Sequence, residues 1–237
     1  MQKVENINET PHDGKPLLPA VPLSEVFLED CTKALKRFND NHFDLAIVDP
    51  PYGIDINNQS QGKGGGVARK IDYTKKDWDK TAPEIIYFNE LRRVSKNQII
   101  WGANHFISRL PIDSSCWVVW DKDNGETDFA DCELAWTSFK TAVRRFKWTW
   151  AGMRQQNMKN KEERIHPTQK PIALYKWLLM NYASEGNLIL DTHLGSGSSR
   201  IAAYDLGYDF IGFEIDPEYY EKQEKRFKDF ISQLRLF

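Results

Sequence analysis

The chain has 237 residues, of which 41% are hydrophobic and 28% charged, and its formal net charge is −2. A chain of this length can bury a sizeable core, and α/β domains of this size are often single. The three cysteines are odd in number and far apart, so neither a disulfide framework nor a metal site is predicted. No apolar run reaches the length of a membrane span and the N-terminus lacks a signal-peptide core, which favours a soluble, cytoplasmic protein without a membrane partner.

Strands and helices alternate along most of the chain. Residues 1–22 contain four of the eleven prolines and little apolar periodicity, which predicts an extended N-terminal arm. Residues 23–237 are predicted to form one domain. The interleaved strands and helices are typical of an α/β fold with a mostly parallel, doubly wound sheet. The predicted elements are, in chain order, strand 25–28, helix 31–38, strand 44–48, helix 83–94, strands 98–101 and 116–120, helix 171–182, strand 187–191, helix 198–206, strand 210–213 and helix 217–234.

Two segments interrupt this pattern. The first, QGKGGG at 61–66, lacks the Gly-Lys-Ser/Thr ending of a phosphate-binding loop and is predicted to be flexible. The second, at 138–170, holds nine Lys or Arg residues against two Glu residues, although the whole chain is slightly acidic. This imbalance favours a nucleic-acid contact over an ordinary solvated surface, without excluding the latter. The residues expected to make that contact are Arg144, Arg145, Lys147 and Arg154.

The C-terminal part contains a strand, a Gly-x-Gly turn, a helix and a second strand, in NLILDTHLGSGSSRIAAYDLGYDFIGFEID at 187–216. Gly195 and Gly197 allow the backbone to approach a ligand at a helix N-terminus. Glu214 ends the second strand, where a carboxylate can accept hydrogen bonds from ribose hydroxyls. With Asp191 at the end of the first strand, the pattern favours an adenosine-containing cofactor over a plain strand–turn–helix.

Two positions indicate the type of cofactor. The dinucleotide fingerprint requires a third glycine where this chain has Arg200, so NAD is not expected. Asp191 would be unfavourable beside a pyrophosphate, but it suits a ligand with a cationic end. The sulfonium and amino groups of S-adenosylmethionine meet that requirement, which makes this compound the predicted cofactor.

An acid, two prolines and a tyrosine stop a buried strand in LAIVDPPYG at 45–53. Pro50 and Pro51 cannot extend a central strand, because proline lacks an N–H and fixes φ. Gly, Asn or Asp would serve better if the turn had only to reverse the chain. A rigid turn between the carboxylate of Asp49 and the ring of Tyr52 therefore indicates a functional site.

Three blocks follow one another along the chain: DPPY at 49–52, HPTQKP at 166–171, and Asp191-x-x-x-Gly-x-Gly197 with Glu214. In this order they resemble the motifs of β-class DNA amino-methyltransferases, which modify adenine N6 or cytosine N4 and occur in restriction–modification systems and phages. The similarity extends over about 24–232, and the segments WGANHF at 101–106 and DFADCELAW at 128–136 also resemble phage-type members. The resemblance implies a Rossmann-like methyltransferase fold with circularly permuted motif order, and a target-recognition insertion at about 121–165.

The resemblance also implies a chemistry for the rigid turn, with double-stranded DNA as the substrate. The exocyclic amine of adenine is a weak nucleophile, because its lone pair is delocalised into the ring. Asp49 and the backbone carbonyl of Pro50, held fixed by the two prolines, are expected to accept hydrogen bonds from this amine and direct its lone pair at the sulfonium methyl. The base must first leave the duplex, and the ring of Tyr52 is expected to stack on it.

Further cofactor contacts are implied by the same resemblance. His166 and Lys170 are expected to meet the methionine carboxylate, and Asp30 the adenine end, while Asp49 lies next to the transferred methyl group. The chain departs from the family at 191–193, where it reads DTH and the family commonly has Asp-Pro-Phe. This departure affects the packing around the cofactor, and leaves the glycines and acids in place.

One alternative activity is excluded by the sequence, and several others stay open. Cytosine C5 methylation is excluded, because its nucleophilic cysteine usually follows a proline and none of the three cysteines does. Cytosine N4 methylation uses the same geometry, but its enzymes typically have Ser in place of Asp49, which favours adenine. The ordered blocks disfavour an RNA or protein methyltransferase, and the intact turn disfavours an inactive DNA-binding or cofactor-sensing module. Four questions stay open: which DNA sequence is recognised, whether the protein forms a homodimer, whether a cognate restriction endonuclease accompanies it, and whether it is an orphan or phage enzyme.

Overall fold

The computed structural model describes residues 21–55, 79–110, 112–125, 130–151 and 154–234. The predicted N-terminal arm, except for its last two residues, and the predicted glycine-rich loop lie outside the described residues.

The described residues form ten strands, five α-helices and two short 3₁₀ helices. The strands are β1 (Ser24–Leu28), β2 (Phe43–Val48), β3 (Ser95–Trp101), β4 (Trp117–Asp121), β5 (Cys132–Thr137), β6 (Arg144–Lys147), β7 (Trp150–Ala151), β8 (Arg154–Gln155), β9 (Leu188–Asp191) and β10 (Asp209–Glu214). The helices are α1 (Cys31–Leu35), α2 (Ile85–Val94), α3 (Ile172–Tyr182), α4 (Ser198–Asp205) and α5 (Pro217–Leu234), with the 3₁₀ helices at Ala103–His105 and Ile107–Arg109.

Among the described strands, eight form one sheet in the order β1-β10-β9-β2-β3-β5-β4-β6. The first five of these are mutually parallel, and β5 runs antiparallel between β3 and β4. The predicted mostly parallel α/β sheet is therefore confirmed. The last two strands along the chain, β9 and β10, lie between β1 and β2, so the cofactor block is inserted in the middle of the sheet.

Helices cover both faces of this sheet. Side chains alternate along a strand, so Ala46 and Val48 of β2 pack with α1 and α2, while Leu45 and Ile47 pack with α3 and α4. Both sets are buried, which explains why β2 reads as an uninterrupted apolar run. The doubly wound arrangement expected from the sequence is confirmed.

The region between β4 and α3 contains strands that the sequence analysis did not assign. Strands β5 and β6 extend the main sheet, whereas β7 and β8 form a separate two-stranded ribbon. The segment expected to recognise the target, at about 121–165, is thus partly built into the sheet, and its role stays a prediction. Helix α3 begins at Ile172, one residue after the proline expected to open it.

Gly102 directly follows β3, and the ring of Tyr52 packs against its backbone. Its φ is +67°, and a Cβ atom built on it would lie 2.0 Å from Cε1 of Tyr52, a distance that real Cβ atoms do not tolerate. Glycine is required here both for the left-handed backbone and for the close approach of the ring.

Replacement of Gly102 by alanine should lower the free energy of unfolding by more than backbone strain alone can explain. Gly186 is the matched control, because its φ is +77° and no atom lies within 4 Å of the position of its Cβ. We expect Gly102→Ala to cost about 1–3 kcal/mol more than Gly186→Ala, since the ring of Tyr52 must move. Urea denaturation of both variants measures this difference, and equal losses would contradict the predicted contact.

Candidate active site

Four carboxylates lie at the carboxyl ends of four neighbouring parallel strands. Asp30 follows β1, Glu214 ends β10, Asp191 ends β9 and Asp49 follows β2. In parallel α/β sheets, ligands bind at this edge of the sheet, because the strand ends and helix N-termini converge there. The structure therefore brings together the DPPY turn and the glycine block, which the sequence separates by more than half of the chain.

The DPPY turn is held by hydrogen bonds at both ends. The hydroxyl of Tyr52 donates to Oδ1 of Asp49 at 2.8 Å. The backbone N–H groups of Tyr52 and Gly53 donate to one oxygen of the buried Asp79, at 2.7 and 3.1 Å. The ring of Tyr52 stacks on His105, with 4.9 Å between the ring centroids and 15° between the planes. The turn is thus fixed before any ligand arrives.

A lysine and a second carboxylate lie beside the DPPY turn. Nζ of Lys170 lies 2.5 Å from Oδ2 of Asp49 and 2.9 Å from Oε2 of Glu133. Lys122 pairs with the other oxygen of Glu133. Burial acts to raise the pKa of Glu133, but Lys170 and Lys122 outweigh it and lower that pKa to about 2. Asp49 differs, because burial raises its pKa more than Lys170 lowers it, and the charge of Glu133 adds to the rise.

Lys170 lies at the DPPY turn, where its side chain is only 3% exposed and pairs with Asp49. The reason is electrostatic: a buried ammonium group is stable only beside anions, and Asp49 and Glu133 supply two of them. The contact with the methionine carboxylate that the sequence resemblance implies for it stays a prediction. The other residue of that motif, His166, does lie at the glycine loop, where a Cβ on Gly195 would be 3.6 Å from its ring.

The glycine loop is held in shape by Glu214. One carboxylate oxygen accepts the N–H of Gly195 at 2.8 Å, and the other accepts the N–H of Asp216 at 2.9 Å. Gly195 and Gly197 have φ values of +53° and +72°, which glycine adopts without strain. Each carboxylate oxygen keeps a second lone pair, so the contacts leave Glu214 able to accept a further hydrogen bond.

Asp191 is buried without a cationic partner among the contacts that the structure gives it. It accepts the N–H of His193 at 3.0 Å and the hydroxyl of Ser199 at 2.5 Å. Burial raises the pKa of Asp191 to about 7, and the nearby charges of Asp49 and Glu214 add to this rise. A cation placed between these acids would relieve their repulsion, which fits the cationic end of S-adenosylmethionine.

The departure from the family motif at 191–193 forms a buried polar network. The hydroxyl groups of Tyr87 and Thr192 lie 2.6 Å apart, and Nδ1 of His193 lies 2.9 Å from Thr192 Oγ1. Nε2 of His193 lies 3.8 Å from Sγ of Cys31. Burial lowers the pKa of His193 to about 4 and raises that of the Cys31 thiol to about 12, so both groups are neutral near pH 7. A neutral network replaces the apolar Pro-Phe pair of the common motif.

Two other residues discussed in the sequence analysis, Asp30 and Arg200, make structural contacts. Asp30 is the N-cap of α1, where its carboxylate accepts the N–H of Thr32 at 2.8 Å. Its role at the adenine end of the cofactor stays a prediction. Arg200, in the place of the third dinucleotide glycine, is buried and pairs with Glu224 at 2.5 Å. It therefore attaches α4 to α5 and does not enter the site.

The basic side chains of 138–170 are presented at the surface. Arg144, Arg145 and Lys147 are exposed on β6, the edge strand of the sheet, and Arg154 is exposed on β8. Lys147 lies 2.9 Å from Asp123, so part of the positive charge on β6 is compensated. The four residues are accessible to an external polyanion, and their binding of DNA stays a prediction.

Arg226 of α5 joins this segment to the glycine loop. It donates to the backbone carbonyl of Ser196 at 2.8 Å and to the hydroxyl of Ser198 at 2.9 Å, and it pairs with Glu162 at 2.8 Å. Glu162 in turn accepts the first N–H of α3, from Ile172, at 3.0 Å. The sequence analysis missed this link, because a single Arg on an amphipathic helix carries no distinguishing signal.

Glu133, Lys122, His105 and Asp79 were also not identified from the sequence as site residues. Glu133 carried a signal, since a carboxylate at the second position of the strand CELAWT is unusual in a sheet interior. Within the part of the chain that the structure describes, no cluster of His, Cys, Asp and Glu is arranged to bind a metal ion. Over the same residues, no helix is both long and apolar enough to cross a membrane.

Comparison with known proteins gives three consistent results. A DNA methylase family model of the N6/N4 type matches residues 119–225. The type II methyltransferase M.HinfI of Haemophilus influenzae is 25% identical over 251 aligned positions, which cover 87% of this chain and 69% of that protein. The type II methyltransferase M2.MboI of Moraxella bovis is 23% identical and covers 89% of each chain.

A solved structure shows the same fold. The M1.HpyAVI–SAM complex superimposes with a TM-score of 0.53 at 19% sequence identity, over 85% of this chain and 98% of that one. The matched fold, the ordered motifs at one edge of the sheet and the sequence relatives agree: the chain is similar to S-adenosylmethionine-dependent DNA methyltransferases, and residues 119–225 match the N6/N4 DNA methylase family.

Proposed function

We propose that this chain transfers a methyl group from S-adenosylmethionine to the N6 amine of an adenine flipped out of double-stranded DNA. One observation carries the proposal: the fixed Asp49–Tyr52 turn lies beside the glycine loop at the same edge of the sheet. Two relatives named type II methyltransferases support a place in a restriction–modification system, beside a cognate endonuclease that cuts the unmethylated site.

The turn supplies acceptors for the target amine. The carboxylate of Asp49 and the carbonyl of Pro50 would each accept one N–H, which draws the nitrogen lone pair out of conjugation with the ring. Because Tyr52 and the two prolines already fix these acceptors, little reorganisation is needed at the moment of transfer. The ring of Tyr52, backed by His105, offers a stacking surface for the flipped base.

The acids and glycines of β9 and β10 would hold the cofactor, which supplies an electrophilic methyl group on its sulfonium. Asp191 and Asp49 would face its cationic end, and Glu214 would accept from its ribose hydroxyls while it shapes the glycine loop. His166 lies at the same loop and would bind its carboxylate.

Cytosine N4 is the second candidate target, because the family includes both activities and the two amines need the same acceptors. The carboxylate at position 49 favours adenine, since the N4 branch typically has Ser there. Chromatography of nucleosides from DNA methylated by the enzyme separates N6-methyladenine from N4-methylcytosine and decides between them.

Loss of the catalytic carboxylate should abolish most of the transfer. For Asp49→Ala, we expect methyl transfer from labelled S-adenosylmethionine to unmodified DNA to fall on the order of 10²–10³-fold, because one positioned acceptor is removed from the transition state. Asp205→Ala is the control, since Asp205 of α4 pairs with Lys176 of α3 and lies outside the site. A folded Asp49→Ala protein with normal turnover would refute the assignment.

The ionised side chain of Asp191 should lower the free energy of unfolding of the ligand-free protein and strengthen the binding of the cofactor. Its pKa is near 7 in the folded protein, and its ordinary value is 3.8, so ionisation of the unfolded chain lowers stability as pH rises from about 4 to 7. Asp191→Asn should therefore match the wild type near pH 4 and become increasingly more stable up to pH 7. Urea denaturation of the ligand-free proteins measures this difference.

The same variant should bind S-adenosylmethionine more weakly at pH 8, as measured by calorimetric titration, because the anion that faces the cationic end is absent. A stability difference that does not change with pH, or an unchanged cofactor affinity, would contradict the role given to Asp191.

The basic residues of β6 should bind phosphates of the DNA backbone. Replacement of Arg144, Arg145 and Lys147 by Gln should weaken DNA binding and reduce the slope of log K against log salt by about 0.9 for each phosphate that is no longer neutralised. The control replaces the three lysines of α5, Lys222, Lys225 and Lys228, which removes the same charge from another surface. If both triple variants retain the wild-type slope, β6 is an ordinary solvated edge.

A further inference from the structure

Glu133 occupies a position that none of the family motifs accounts for. It lies at the start of β5, whose neighbours β3 and β4 both end at the same edge of the sheet as the DPPY turn. Its side chain is 21% exposed, binds Lys170 and Lys122, and reaches within 3.5 Å of the hydroxyl of Tyr52. Glu133 thus touches two of the groups that contact the catalytic carboxylate.

Four alternating charges form a continuous row here: Asp49, Lys170, Glu133 and Lys122. Their formal charges sum to zero. Lys170 is almost fully buried, and its ammonium lies 5.7 Å from the ring centroid of Tyr52 and 5.5 Å from that of Trp101. An ammonium in such surroundings requires an anion at all times, because an unpaired buried charge is strongly destabilising.

Asp49 has both oxygens engaged in this state. Oδ1 accepts from Tyr52 at 2.8 Å and Oδ2 accepts from Lys170 at 2.5 Å. A target amine that donates to Asp49 must share or displace the bond from Lys170. The displacement is feasible only if Lys170 has a second carboxylate, and Glu133 lies 2.9 Å from it.

We propose that Glu133 is a positioning residue for methyl transfer, which retains Lys170 when the target amine takes its place on Asp49. The proposal rests on the function proposed above. In this arrangement Lys170 orients Asp49 before the base enters, and Glu133 keeps the ammonium paired afterwards. The charge of Lys170 never has to leave the site, and Asp49 is free to accept from the amine.

The pH dependence follows from the groups that face Asp49. Removal of the negative charge of Glu133 should lower the pKa of Asp49, because like charges raise it and because Lys170 is left with Asp49 as its carboxylate partner. The titratable groups near Asp49 are Lys170 before α3, Glu133 of β5, Asp191 of β9, Tyr52 of the turn, Tyr87 of α2 and Tyr175 of α3.

The experiment compares Glu133→Gln, which keeps the shape of the side chain but loses its charge, with Glu133→Asp, which keeps the charge. For Glu133→Gln we expect kcat to fall by about 10²-fold, because Lys170 stays on Asp49 and misplaces the amine. KM for DNA and for S-adenosylmethionine should be unchanged, and the acid limb of the kcat–pH profile should move to lower pH. Glu133→Asp should restore the wild-type acid limb and part of kcat.

Asp205→Asn is the matched control. Asp205 of α4 pairs with Lys176 of α3, and its side chain is 25% exposed, close to the 21% of Glu133, but it lies outside the site. Its replacement removes a paired carboxylate of similar exposure and should leave kcat and the pH profile at wild-type values. A wild-type kcat in Glu133→Gln, or a loss of kcat with an unmoved acid limb, would overturn the proposal.

A second measurement does not depend on activity. The carboxyl carbon of Asp49, assigned in ¹³C NMR spectra from its absence in Asp49→Asn, should titrate at lower pH in Glu133→Gln than in the wild type, and at the wild-type pH in Asp205→Asn. A wild-type protein that methylates no DNA would refute the proposed function alone. An unchanged titration of Asp49 in Glu133→Gln would refute the role of Glu133 alone.

Discussion

The site depends on the parallel pairing of β2 with β9. Leu45 and Ala46 lie opposite Ile189 and Leu190, and the carboxylate of Asp44 accepts the N–H of Leu188 at 2.9 Å across 144 positions of sequence. Because both strands run in the same direction, their carboxyl ends meet at one edge, and the DPPY turn comes to lie beside the glycine loop. A shift of one residue would turn each buried side chain to the opposite face, so the two hydrophobic cores fix the register and, with it, the site.

The two halves of the site differ in whether their buried charges are paired with charges of opposite sign. Beside the DPPY turn, Asp49, Lys170, Glu133 and Lys122 each have a partner of opposite sign, and the row that they form is neutral. At the proposed cofactor end, the donors to Asp191 among the described residues are neutral, and its raised pKa reflects an energetic cost of ionisation. Such a cost in the free protein is offset when a cationic ligand binds. The proposed catalytic half is therefore preorganised, and the proposed cofactor half would be stabilised by its ligand.

Much of the fold follows from the sequence by short-range physical rules. Apolar runs ended by acids predict the strands β2 and β9, and apolar residues at helical spacing predict α3 and α5, since burial on one face or both leaves these patterns in the sequence. Strands β5 and β6 were not assigned from the sequence. The exposed RRFK of β6 has no apolar alternation, and its strand conformation comes from pairing with β4 at the sheet edge.

The sequence alone predicts the resemblance to N6/N4 DNA methylases, the cofactor class and the candidate acids and glycines of the site, because the DPPY turn and the Gly-x-Gly loop are short motifs with fixed spacing. Only the tertiary structure decided which charges meet. Lys170 pairs with Asp49 and Glu133, and Arg226 with Ser196 and Glu162, across separations that no local pattern encodes. The physical reason is that a buried charge pairs with the opposite charge that the packed fold brings close to it, whereas the two motifs are formed by residues adjacent in sequence.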